Sequence, residues 1–227
     1  MNRLLLFLLL CFSSFTYAQY LSVDKVYDAL DKELDAKSLD YEAMADTIVK
    51  TCPLDKNGGF TYVQIVEAPG KTKEQLYVIL NAWFLRSFGG NGILVNDKDL
   101  GCVMAQERFR KIAANGAITS SNTNYQVDID PTIRVDIKDN KIRITYNTPC
   151  YELRDVTSAK WGRQPFKKNK SRSVFFAESY PYNPKGGEKK MMRKALVFVH
   201  YYSILVISDI ERAIKEGVTG NEADDDW

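Results

Sequence analysis

Residues 132–147, TIRVDIKDNKIRITYN, leave this chain little freedom in what it folds into. Ile133, Val135 and Ile137 alternate with Arg134, Asp136 and Lys138, and Ile142, Ile144 and Tyr146 alternate with Arg143 and Thr145. Asp139-Asn140 between the two runs supplies a two-residue turn. Antiparallel pairing across that turn predicts Ile137 opposite Ile142, Val135 opposite Ile144 and Ile133 opposite Tyr146. All six then share one face, while Asp136 meets Arg143 on the other. A hairpin that is oily on one side and wet on the other belongs to an antiparallel sheet covered on one face.

The cover has to come from helices, and the sequence offers them. FTYVQIVEA, residues 60–68, reads as a strand that Pro69-Gly70 breaks. Thr72 and Gln75 then fit a capping box, which satisfies free backbone N–H groups at a helix start. Leu76, Ile79, Leu80, Trp83 and Phe84 form an apolar stripe along that helix, and Gly89-Gly90 is expected to stop it. GILVNDKDLGCVMAQERF follows as two strands about a turn at Asp97 to Asp99. Residues 113–124 are small and polar, as in a loop. A long helix from about Glu188 to Glu216 is apolar nearly all round between Ala195 and Ile207. It must be buried on more than one side, against the sheet and against either the N-terminal helices or a partner subunit. Its apolar stretch is short for a membrane span and carries Tyr and His.

Upstream, Val23 to Val49 is helical in pattern, with Val26, Tyr27, Leu30 and Leu34 on one face. Ser38 is the expected cap of a second helix carrying Met44 and Ile48; residues 46–51 fit helix or strand. Residues 151–188 hold several prolines, glycines and lysines and read as an irregular basic loop, and 217–227 as an acidic disordered tail. The fold class is α+β. An N-terminal helical segment (19–52) precedes a single domain (53–216) of order β-α-β-β-β-β-α, with the helices on one face of the sheet.

Residues 1–18 have the Arg3 start, the Leu4–Phe12 apolar run and the Thr16-Tyr17-Ala18 exit of a secretory signal. Cleavage after Ala18 removes Arg3 and no other charged residue, so the formal net charge of +2 falls to +1. Lipidation at Cys11 is disfavoured, because bulky Leu8, Leu9 and Leu10 precede it. The expected location is the periplasm or envelope of a Gram-negative bacterium. Cys52, Cys102 and Cys150 remain, which permits at most one internal disulfide, and no pair has zinc or redox CxxC spacing. No metal and no cofactor is expected. A nearly neutral chain has no field to recruit nucleic acid.

Candidate binding residues are few. Lys160, Arg163, Lys167, Lys168, Lys170 and Arg172 lie in a stretch without acids, interleaved with Trp161 and Phe166. Cations on an anion with rings stacked on a sugar would suit phosphate or an acidic glycan. Tyr77 and Trp83 are candidates for lining a cavity under the sheet, with core packing as the alternative. His200 is the only histidine, so any Ser-His-Asp or Cys-His device would need it. Its mid-helix position among Leu196, Val197 and Ile204 suits a core histidine equally well. Asp128, Asp130, Glu107 and Glu178 are too scattered to single out a carboxylate pair.

GFTYVQIVEAPGKTKEQLYVILNAWF, followed by ILVNDKDLGCVMAQERF, resembles the exported bacterial family called domain of unknown function 4468, with TBP-like fold. The likeness rests on the strand, the Pro69-Gly70-Lys71 turn, Lys73, Leu76-Tyr77, Trp83 and the glycine-containing strand after Asp97 to Asp99. It spans roughly residues 53–150, with the hairpin at 132–147 in keeping. The resemblance implies a curved antiparallel sheet with helices on one face, and carries over no catalytic residue. The expected function is a non-catalytic envelope protein that binds a small apolar or glycan ligand or another envelope protein. The alternatives are a homodimeric assembly module with its seam at residues 195–207, and a hydrolase using His200 or a carboxylate.

Overall fold

The computed structural model describes residues 22–115, 123–159 and 166–217. The signal at 1–18, most of the loop at 113–124 and the tail beyond Gly217 therefore lie outside the described residues.

The hairpin forms as its pattern requires. β6 (Thr132–Lys138) and β7 (Lys141–Thr148) pair in the expected register, Ile137 with Ile142, Val135 with Ile144 and Ile133 with Tyr146. All six side chains are buried, each worth about 2 kcal/mol as area removed from water. On the wet face Asp136 accepts from both Arg134 and Arg143, with Nη2 to carboxylate distances of 2.7 Å each. Asn140 takes the left-handed conformation, φ 63°, which a short polar side chain tolerates.

The same turn anchors the next element. Asn140 O accepts from Ala68 N at 2.7 Å, and its Oδ1 accepts from Gly70 N at 2.8 Å. Asp139 Oδ1 accepts from Lys73 N at 2.8 Å. The Pro69-Gly70 turn, with Gly70 at φ 81°, is thereby tied to the hairpin tip. The chain leaves β1 (Phe60–Glu67) and doubles back as a helix over the sheet. That helix, Lys73–Gly92, carries the expected Thr72/Gln75 capping box and buries Leu76, Leu80, Trp83 and Phe84.

Gly89-Gly90 does not end the helix, which continues to Gly92. Glycine lowers helix stability by about 1 kcal/mol per residue, and docking on the sheet overrides so small a bias. β2 (Ile93–Asp97) and β3 (Cys102–Gln106) flank the expected turn. They complete a five-stranded sheet of order β1-β7-β6-β3-β2, antiparallel throughout.

Upstream of β1, α1 (Val23–Ala36) and α2 (Tyr41–Thr51) form. Counting on, α3 is Lys73–Gly92 and α4 is Lys189–Glu216. Residues 46–51 are helical. The cap of α2 is Asp40, whose Oδ1 accepts from Ala43 N at 2.8 Å, and not Ser38. Ser38 sits at φ 53° where α1 closes, so it is spent on a turn.

Residues 151–188 depart most from expectation. In place of an irregular loop, β8 (Cys150–Ala159) and β9 (Phe166–Phe175) form a ten-pair antiparallel hairpin. With β4 (Phe109–Ala114) and β5 (Thr123–Ile129) they build a second sheet, order β4-β5-β8-β9. Among the described residues the strands number nine, in two sheets, rather than five in one. β9, with three lysines and two serines, lacks the β-branched signature, so its pairing with β8 and not local preference holds it. Among the described residues of this stretch, 176–188 keep the irregular character, opening with a 3-10 turn at Phe176–Glu178.

α4 is the axis of the molecule. It packs against α1, α2, α3, β1, β4 and β7. Leu196 through Ser203 are all buried within the one chain. By length and composition the helix could cross a membrane, yet 72 % of its most apolar window is covered by the protein itself. Its second side meets the N-terminal helices, and within 195–207 Ile204 and Leu205 are half-buried while the rest are buried. The α+β class, with antiparallel sheets and a C-terminal helix packed on them, stands as read.

Candidate functional site

Three remote segments meet around His200. Its Nδ1 hydrogen-bonds the Tyr62 hydroxyl, which also contacts Cys52 Sγ at 3.2 Å. Cys52 ends α2, Tyr62 lies on the helix-covered face of β1, and His200 lies mid-α4. Tyr182 closes the group by donating to Cys52 O at 2.6 Å, and Ser203 Oγ donates to His200 O at 2.6 Å. His200 and Cys52 are buried.

The electrostatics of this cluster are those of a neutral plug. Burial lowers the His200 pKa to about 4, so the ring is uncharged at neutral pH. Burial, then the adjoining Cys52, pushes the Tyr62 phenol far above its usual value. A nucleophilic cysteine needs a thiolate beside a cation. Here the ring is neutral, and a protonated phenol separates it from the sulfur. Among the described residues, Cys52, Cys102 and Cys150 are all free.

Other predicted residues are dispersed. Trp83 is fully packed, edge-on to Phe84 and Phe88, with Nε1 donating to Asp209 Oδ2 at 2.8 Å. Tyr77 is half-buried and donates to Asn96 Oδ1, pinning α3 to β2. Neither residue approaches His200. Lys160, Trp161 and Arg163 lie outside the described residues. Phe166, Lys167 and Lys168 belong to the backbone of β9, with their side chains outside the description. Lys170 and Arg172 are exposed on β9, opposite Asp155 and Leu153. The cations therefore ride an edge strand from residue 166 onward.

On the second sheet, Asp128 is fully buried yet charged. Arg110 Nη1 lies 2.6 Å from Oδ2 and Arg154 Nη2 lies 2.9 Å from Oδ1, and Lys111 N donates at 2.7 Å. Burial alone would raise its pKa. The bonds from Arg154, the Lys111 amide and Arg110 outweigh that and hold it below the usual carboxylate range. These contacts fasten β4, β5 and β8 together. An open depression of about 520 Å³ lies beside the start of α3, between Gly70, Lys71, Gln75 and Val78.

The feature missed in the sequence is the rim of the first sheet. β1 is an edge strand. Among the described residues, the backbone groups of residues 61–66 make hydrogen bonds with β7 alone. Val63 and Ile65, on the face away from the helices, are 60 % and 62 % exposed. No proline, bulge or charge interrupts residues 60–66. The signal was present in FTYVQIVE. Val63 and Ile65 point opposite to Tyr62, Gln64 and Val66, so apolar residues stand on both faces of a strand whose sheet is covered on one.

No curated protein matches this chain. A TBP-like protein from Parabacteroides distasonis is similar in structure at 16 % identity and a TM-score of 0.48, covering 70 % of this chain and 95 % of its own. A DUF4468 family protein from Bacteroides ovatus is similar at 14 % identity and a TM-score of 0.39, covering 72 % of this chain and 94 % of its own. Within this chain, residues 62–152, which run from β1 into β8, match the family described as Domain of unknown function (DUF4468) with TBP-like fold.

Proposed function

We propose that this chain is an exported, non-catalytic binding module that receives an extended segment of a partner protein along the free edge of β1. The observation that carries the reading is the regular, uncharged stretch 61–66 with unpaired backbone on one side and Val63 and Ile65 bare on the open face. Main-chain hydrogen bonds along such an edge supply affinity, and alternate side chains supply specificity. The signal-like residues 1–18 support export. The burial of His200, uncharged at neutral pH and hydrogen-bonded to the Tyr62 hydroxyl, supports a structural role for the sole histidine.

The test is a titration of isotopically labelled mature protein with a capped Thr-Val-Thr-Val-Thr-Val peptide, followed by NMR. Shifts confined to β1 and its partners on β7 are the expected result. Shifts elsewhere, or none at millimolar peptide, contradict the reading. Export is tested separately by mass spectrometry, with Gln19 as the expected mature N-terminus.

A further inference from the structure

A sheet edge left bare invites pairing, and proteins usually blunt such edges with charge, bulges, short strands or cover. Three of the four edges here are blunted. β2 has five residues, an irregular register between Ile93 and Val95, and ends in Asp97. β4 is bulged between Phe109 and Ala113, with Lys111 at φ 56°, and Tyr27 of α1 donates to Ile112 O. β9 carries Lys167, Lys168, Lys170 and Arg172 within ten residues. Among the described edges, β1 alone runs uncharged and unbulged for seven residues, Phe60 to Val66, in unbroken register, and meets a charge only at its last residue, Glu67.

We infer that the occupant of this edge is a second copy of the chain, with two β1 strands pairing antiparallel about a twofold axis through Gln64. This rests on the strand-addition reading above and names its partner. The register follows from chemistry. Centring on Gln64 sets Val63 opposite the other copy's Ile65 and Ile65 opposite its Val63, so each exposed pair covers the other. Tyr62 then meets Val66, and Glu67 meets Thr61, so no like charges are opposed. Centring on Ile65 would set Glu67 against Val63 on the open face. Centring on Val63 would leave Ile65 against Thr61.

The Gln64 register also preserves the pleat, because Val63 and Ile65 lie on the same face in both copies. The union is isologous and closed. It consumes both unguarded edges and leaves a ten-stranded sheet that ends on a blunted β2 at each side. The assembly therefore stops at two copies.

Sedimentation equilibrium of the mature protein tests the inference. The expected result is a concentration-dependent dimer, whose apparent dissociation constant rises at least tenfold in Ile65→Lys. Oxidation is expected to cross-link Gln64→Cys into a covalent dimer, and to leave the unsubstituted protein and Glu67→Cys uncross-linked. All three substituted side chains are exposed or half-exposed, and thermal melts confirm that each variant folds. A strictly monomeric protein up to millimolar concentration overturns the inference, as does a dimer indifferent to Ile65→Lys. If the monomer still takes the Thr-Val peptide on β1, only self-pairing has failed. If neither copy nor peptide occupies β1, the strand-addition reading falls with it.

Discussion

β1 and β9 are both long edge strands of antiparallel sheets, and they are built to opposite ends. β9 crowds four cations into ten residues, so another strand approaching it meets charge that must be desolvated. β1 is uncharged from Phe60 to Val66 and shows two β-branched side chains to water. One edge repels company and the other is fit to receive it. The contrast recasts the basic run that suggested an anion-binding loop, because cations spaced along an edge strand are a recognised guard against pairing. It also points to the apolar strand as the surface with a use.

The two sheets differ beneath their edges as well. The first is held by an apolar face pressed under α3 and α4. The second is fastened in part by the buried Asp128 and its arginines. Removing packing from the first should have the largest effect. Ile144→Ala is expected to lower stability by about 4 kcal/mol through lost burial and a residual cavity, read as a fall in the urea midpoint.

Acid should weaken the junction between the first sheet and α4. The folded His200 titrates near 4 and the unfolded near the ordinary histidine value of 6.5. The unfolded chain therefore binds the proton first. The contribution of His200 is complete above pH 6.5 and is lost as pH falls from 6.5 toward 4, by about 3 kcal/mol. Urea midpoints at pH 7 and pH 4 should differ by that much less in His200→Asn. An identical acid loss in the variant would show that the ring is not buried as described.

Breaking the polar fastening of the second sheet comes next. Asp128→Ala is expected to cost about 2 kcal/mol, less than a fully buried pair would, because Arg110 and Arg154 reach water once left alone. Calorimetric melting measures it. The smallest stability changes belong to the edges and sharpen the contrast most. Ile65→Lys should alter stability by less than about 0.5 kcal/mol while removing association. Replacing Lys168, Lys170 and Arg172 together by Val should be nearly as mild in the melt, and should create a second sticky edge visible by light scattering as species larger than a dimer.

What could be read from sequence divides along physical lines. The β6-β7 register was legible to the residue, because a one-residue slip would turn one strand's three apolar side chains into water. The α3 cap was legible because Thr72 and Gln75 are local chemistry. The second sheet was not, since β9 is rich in lysine and serine with little local strand preference, and β8 takes its place by pairing with the remote β5 as well as with β9. The end of α3 was misplaced because sheet contact outweighs two glycines. The His200 group was half visible, the histidine standing out while Cys52 and Tyr62 lie in remote segments. The edge position of FTYVQIVE was hidden because a strand's sequence does not state its place in the sheet order.

The measurement that bears most directly on the central claim is amide hydrogen exchange along β1 at two protein concentrations. At low concentration, alternate amides within residues 61–66 should exchange quickly, while those bonded to β7 stay protected. At high concentration the fast set should become protected, with β9 amides unchanged. Full protection of every β1 amide in the dilute protein, or no concentration dependence at all, would contradict an open and receptive edge.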